Sequence, residues 1–308
     1  VSLLDHQLVV LHGKGGVGRT TMTAALGLAG ALSGRRTCVV ELGGQASLAR
    51  TLGFDEPSYE PRDVAHGLQL RSLSLAATLS DFGARKLKID ALARWFFESR
   101  LMTGFVEAVP GLHDVVQLGK IENMISEPLP GEPVYDLVVL DAPATGHGLT
   151  LLGSARAMGE ITRMGPFYEL AHIIETFLAD DARTGHGLIA LPEPLPAQEA
   201  LELGERLRVQ GADVDALFLN QVHDEPLPPT VAAAALEAAL GDRGASDSLY
   251  SLLAHARARL GRQQDALALL HESRLSDLPF VPVPAVHPTP RGVEALRPLA
   301  EAMLEVLR

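Results

Sequence analysis

The ten residues HGKGGVGRTT (12–21) restrict this chain more than any other stretch. They follow the apolar run LVVL (Leu8 to Leu11) and lead into TTMTAALGLAGALSG, whose Ala- and Leu-rich pattern predicts a helix. Gly13, Gly15, Gly16 and Gly18 lie close enough together for the backbone to curl and turn successive N–H groups inward on an anion. The helix opening near Thr20 adds the positive end of its dipole. Gly13-x-x-x-x-Gly18-Arg19-Thr20 has the spacing of a Walker A phosphate loop, with arginine at the lysine position. Strand, glycine loop and helix in that order form the opening unit of a parallel nucleotide-binding sheet.

The rest of the chain keeps that rhythm. Strands are expected at 8–12, 37–42, 68–73, 136–141, 187–192, 216–222 and 279–284, several of them continuous runs of Val, Leu and Ile, as in strands covered on both faces. Ala- and Leu-rich helical segments separate them. The expectation is an α/β fold: a parallel, mostly doubly wound P-loop NTPase sheet flanked by helices, with an added helical layer. One domain over 1–308 is expected, with helical insertions at about 77–130, 153–184 and 244–276. A hydrophobic fraction of 47% is ample for a large core.

Composition narrows the partners. A formal net charge of −12 gives no basic footprint for nucleic acid. Cys38, alone in the sequence, allows neither an intrachain disulfide nor a CxxC zinc site, and its apolar surroundings (TCVV) mark it as a small core residue. No apolar stretch reaches the roughly 18 residues of a membrane helix, so a cytoplasmic protein is expected. His113, His147 and His172 lack metal-ligand spacing.

Within the loop, Gly13 to Thr21 are the phosphate-binding candidates: Gly13, Lys14, Gly15, Gly16, Val17, Gly18, Arg19, Thr20 and Thr21. Thr20 supplies a hydroxyl for Mg²⁺. Asp141 ends the apolar strand DLVVLD, where a Walker B carboxylate orients the metal, so Thr20 and Asp141 form the expected metal pair. Arg19 keeps the positive charge but replaces a compact ammonium by a wide planar fork. Phosphate binding is expected to survive that change; fast hydrolysis is not implied by it.

Lys14, just after the first glycine, is the signature of the deviant Walker A group, KGGxGK[ST]. With it the chain resembles the ArsA-type ATPases, which include arsenite-pump motors and factors that target tail-anchored membrane proteins. The stretch DAPATGH (141–147) is similar to the family's switch II, FLNQV (218–222) to its adenine-binding strand end, Pro192-Glu193 to its strand-PE-helix unit, and PAVHPTPRG (284–292) to its last strand-end loop. PGLHDVVQLGKI (110–121) and PVYD (133–136) place the chain nearest a bacterial subgroup lacking the cysteine sites. The resemblance implies ATP/ADP and Mg²⁺ as cofactors, a dimer in which Lys14 reaches the partner's nucleotide, and catalytic roles for Lys14 and Asp141. It also implies adenine contacts from Asn220 and from Pro284, Ala285, Val286 and His287.

The chain departs from the family where the attacking water is aligned. ELGGQASL (41–48) puts Gly43 at the aspartate and Ala46 at the histidine of D-P-A-H-S-L. Glu41, two residues earlier, is left as a metal or water ligand or as a strand cap. Without a cysteine cluster, arsenite is not an expected ligand. WFFESRLM (95–102) and FYELAHIIETFL (167–178) are apolar enough to line a client groove, but an apolar helix face of this kind is more often core. The expected activity is slow ATP hydrolysis by a homodimer, or a heterodimer with a paralogue, whose nucleotide-dependent shape acts on a protein client or membrane-associated component. The alternative is a hydrolysis-deficient nucleotide-binding regulatory subunit beside an active paralogue. A P-loop kinase would need a lid of clustered arginines, and those in AHARARLGRQQ (254–264) lie on a helical stretch.

Overall fold

The computed structural model describes residues 2–44, 46–87, 104, 106, 109, 111–128, 130–141, 147–223 and 243–308. Its strands are β1 (Leu8–His12), β2 (Thr37–Leu42), β3 (Arg62–Ala65), β4 (Leu68–Leu73), β5 (Leu137–Asp141), β6 (Thr184–Ala190), β7 (Ala216–Val222) and β8 (Phe280–Pro284). They form one sheet in the order β3-β4-β2-β5-β1-β6-β7-β8. Only β3, against β4, pairs antiparallel; the other neighbours are parallel. β1 therefore lies inside the sheet, and its carboxyl end opens between those of β5 and β6.

Every residue of β1, β2, β5 and β6 is buried, as the near-continuous apolar sequences of the first three require. On one face lie α1 (Arg19–Leu32), α2 (Ser47–Thr51) and α9 (Val293–Leu307), around Val9, Leu11, Val39, Met22, Leu26 and Met303. Gly27 and Gly30 set how closely α1 lies on the sheet: a Cβ at Gly27 would stand 2.1 Å from Val39 and one at Gly30 2.6 Å from Leu137. Glycine inside a helix costs about 1 kcal/mol against alanine, and here that cost allows close packing.

The opposite face carries α3 (Leu75–Leu87), α4 (Leu112–Ser126), α5 (His147–Thr162) and α6 (Pro166–Leu178), then α7 (Pro194–Val209) and α8 (Arg243–His271). α3 to α6 make the added helical layer over Val10, Val40 and Leu140. Charge as well as oil holds it. Arg71 of β4, fully buried, donates to Glu132 at 3.0 Å and to the Tyr59 carbonyl at 2.9 Å. Lys120 of α4 donates to Glu132 at 2.8 Å and to Asp81 of α3 at 2.5 Å. Gln117, one turn earlier, donates to the Leu73 carbonyl at 3.0 Å. The PGLHDVVQLGKI stretch thus ties helix to sheet; its Pro110, and the whole of 95–102, lie outside the described residues.

Two strand expectations need correction. The strand expected at 187–192 runs Thr184–Ala190 instead. Its first residues, TGH, do not look apolar, but Gly185 is where the His6 ring packs: a Cβ there would meet Nδ1 at 2.7 Å. β3, with a partly exposed RDVA sequence, has no apolar run to announce it.

Candidate nucleotide site

At the end of β1 the chain turns through Gly13 to Gly18 into α1. Gly16 and Gly18 adopt φ of 89° and 86°, the left-handed region that costs a side chain energy. A Cβ on Gly13 would lie 2.8 Å from Val17 Cγ2, and one on Gly18 2.3 Å from Asn220 Nδ2, whereas at Gly15 and Gly16 nothing among the described residues comes within 4 Å. The loop is therefore tight on its protein side and open on the other. Val17, 4% exposed, anchors it in the core beside α1.

Parallel pairing sets Leu11 beside Asp141, so β5 delivers its terminal carboxylate to the first turn of α1. Thr20 Oγ1 donates to Asp141 Oδ2 at 2.8 Å. Arg19 turns back across the loop: its Nε donates to Asp141 Oδ1 at 3.3 Å and its Nη1 to the Gly13 carbonyl at 3.1 Å. Burial pushes the Asp141 carboxyl above its ordinary pKa, and the Thr20 hydrogen bond and the Arg19 charge pull it back. Thr20, while donating, keeps lone pairs for a cation, and a hydroxyl beside a carboxylate is a hard-oxygen donor set. Open glycine amides and this pair fit a magnesium-bound polyphosphate.

Lys14 projects outward, its side chain 64% exposed, and pairs with Glu199 of α7 in the same chain. Thr21 is half-buried in the first turn of α1. Asn220, near the end of β7 and 7% exposed, faces the loop: Nδ2 donates to the Val17 carbonyl at 2.8 Å, and Oδ1 accepts from the Gln221 N–H at 2.9 Å. Pro284 closes β8, Ala285 N–H donates to the Val222 carbonyl at 2.9 Å, and Val286 packs against the core. His287 lines a cavity of about 320 Å³ with Pro192, Glu193, Gln221, His223 and Arg259. The strand ends β6, β7 and β8 thus meet beside the phosphate loop.

Glu41 is closed off. Its Oε1 accepts from the Ser47 hydroxyl at 2.6 Å and the Leu48 N–H at 2.9 Å, its Oε2 from the Ser72 hydroxyl at 3.2 Å, and it is 2% exposed. The carboxylate caps α2 rather than serving the strand end alone. Gly43, at φ 79°, has nothing among the described residues within 4 Å of a would-be Cβ. Ala142, Pro143 and Gly146 of the switch II likeness lie outside the described residues.

Sequence reasoning missed one buried pair. His12, directly before the loop, bonds through Nε2 to His186 Nδ1 at 3.0 Å, and its own Nδ1 has no partner among the described residues. Burial, then His186 and Arg19, hold His12 well below the usual histidine pKa; burial, with the His6 charge, brings His186 down to about 4. Both are neutral near pH 7. A polar residue at each strand position was the available signal.

A phosphate loop at an inner parallel strand, joined to a threonine and a strand-end aspartate, defines a P-loop NTPase. The profile of the anion-transporting ATPase family matches residues 6–174. ATPase BagA of Mycobacterium tuberculosis is 31% identical over 239 residues, 75% of this chain and 69% of that protein. Protein Rv2184c of the same organism is 27% identical over 253 residues, 69% of this chain and 59% of that one. The ATPase ASNA1 homolog 1 of Paramecium tetraurelia is 27% identical over 154 residues, 49% of this chain and 44% of that protein. The chain belongs to the anion-transporting (ArsA-type) ATPase family. That membership supports nucleotide-binding ATPase activity. Among the described residues no helix is long and apolar enough to cross a membrane.

Proposed function

We propose that this chain binds Mg-ATP at the Gly13–Thr21 loop and hydrolyses it slowly as a cytoplasmic dimer, whose nucleotide-dependent shape acts on a protein or membrane-associated partner. The observation that carries the reading is the meeting of Thr20 and Asp141 at 2.8 Å beside an amide loop open on its outer side. The loop amides and the positive end of α1 hold the phosphates. Thr20 and Asp141 would hold Mg²⁺, which when bound would supply charge neutralisation on the phosphate oxygens. Asp141 exchanges its bond from Arg19 for that role, and the freed guanidinium turns onto a phosphate oxygen, a bidentate partner it suits. Lys14 leaves Glu199 to reach the nucleotide of the facing chain, where a cation stabilises developing charge as an arginine finger does. The base lies toward the 284–287 segment.

The alternative, a nucleotide-binding subunit that does not turn ATP over unless paired with an active paralogue, is favoured by one observation. Glu41 is fully engaged, and Gly43 offers no carboxylate to align water. Phosphate release from Mg-ATP by the purified chain, alone and mixed with a paralogue, separates the two. Slow release by the chain alone supports the first; release only in the mixture supports the second. An absence of ATP binding overturns both.

A further inference from the structure

We propose that Arg19 is a built-in counter-cation for Asp141: it lets the loop hold a nucleoside di- or triphosphate without Mg²⁺, and the metal enters afterwards by displacing the guanidinium. The proposal rests on the nucleotide reading above and specifies the form in which the nucleotide is taken up.

Both oxygens of Asp141 are engaged, Oδ2 by the Thr20 hydroxyl at 2.8 Å and Oδ1 by Arg19 Nε at 3.3 Å. Arg19 is anchored a second time, its Nη1 donating to the Gly13 carbonyl at 3.1 Å. The pair is nearly enclosed, with the Arg19 side chain 12% and the Asp141 side chain 6% exposed. A cation arriving at Asp141 therefore finds its charge already answered, and must leave a guanidinium without a counter-charge in a desolvated place. The neighbouring carboxylate gives that cation no help. Glu41 stands beside Asp141 in the β2–β5 register, but its oxygens are taken by Ser47, Ser72 and the Leu48 N–H. A bound nucleotide changes the balance, because its phosphate oxygens offer the guanidinium a new partner and the metal new ligands.

Arg19 can take hold of a phosphate before it lets go of Asp141. A guanidinium has five N–H groups in a fixed fork, and two are spent on Asp141 and Gly13. Three remain for phosphate oxygens, beside a loop that is open on its outer side. A lysine ammonium has three N–H groups in all, so meeting both anchors would leave it one. Arginine at this position thus keeps in place part of the positive charge that a metal would bring.

Titration calorimetry of the full chain with ADP and a non-hydrolysable ATP analogue, in excess Mg²⁺ and in excess EDTA, tests this without turnover. The parent's affinities should differ by less than about threefold between the two conditions, whereas those of Arg19→Lys should fall about tenfold or more in EDTA. Mn²⁺ binding, read from the EPR signal of the free ion with ADP present, should be about tenfold tighter in Arg19→Lys than in the parent. Parent affinities that fall in EDTA as far as those of Arg19→Lys overturn the metal-free uptake. Equal Mn²⁺ affinities overturn the competition at Asp141. Should Arg19→Lys not fold, the parent alone still decides: a loss of about tenfold or more in EDTA overturns the proposal. If the parent binds neither nucleotide in either condition, the nucleotide reading itself fails.

Discussion

Asp141 and Glu41 end neighbouring strands and stand opposite each other in the β2–β5 register, yet they lead different lives. Asp141 is held by two side chains, Thr20 and Arg19, either of which can turn away. Glu41 is held by two hydroxyls and the Leu48 backbone amide, so releasing it uncaps α2. One carboxylate is available for exchange; the other belongs to the fold. On the proposed function, the difference separates the side offered to phosphate and metal, where Asp141 can exchange partners, from the side offered to the attacking water, where Glu41 is tied into the fold.

The largest effect that would break this contrast is at Asp141. Asp141→Ala should lower Mg-ATP turnover by about 100-fold or more, while circular dichroism stays native. A variant with parental phosphate release would remove Asp141 from the chemistry. Restoring the missing half should go the other way. Gly43→Asp places a carboxylate where nothing crowds it, at a left-handed position that aspartate tolerates at about 1 kcal/mol. Turnover should rise about tenfold. Arg19→Lys, which exchanges the fork for a point charge, should also raise turnover, by a few-fold to about tenfold. An unchanged rate in both would mean that hydrolysis is limited elsewhere.

At Glu41 the expected loss is in stability. Glu41→Gln keeps its shape but weakens the cap, costing about 1–2 kcal/mol, read as a lower urea midpoint at unchanged m. Turnover per folded molecule should hold; a fall of about 100-fold would make Glu41 a chemical group. An effect of comparable size tests the neutral pair under the loop. His186 titrates near 4 when folded and near 6.5 when unfolded, so between those values the unfolded chain binds the extra proton. Stability therefore declines as pH falls from about 6.5 toward 4, by at most about 1.4 kcal/mol per pH unit for this histidine. Urea midpoints at pH 7.5 and 5.0 should differ less in His186→Gln than in the parent.

Much of this was legible from residues alone, because both strong signals are local. Fully buried strands are written as apolar runs, and a phosphate loop needs glycines at fixed spacing, so β1, β2, β4 and the Gly13–Thr20 loop could be read directly. What stayed hidden depends on partners distant in sequence. The start of β6 is disguised by Gly185, whose missing side chain makes room for His6. The orientation of Asn220 is decided by a carbonyl 203 residues away. Nothing in TCVVEL says that Ser47 and Ser72 will close around its glutamate, and the pairing of Lys14 with Glu199 depends on how α7 leaves β6.

That last pairing, with the Arg19 fork on Asp141, has a kinetic consequence. Both loop cations meet their counter-charges within the same chain, on a molecule of formal charge −12. The mouth of the loop then projects little attraction beyond a Debye length, about 10 Å in 0.1 M salt. An anionic triphosphate then meets net repulsion on approach and is held only by short-range exchange of partners, so its arrival rate should rise as salt screens the molecule's negative charge.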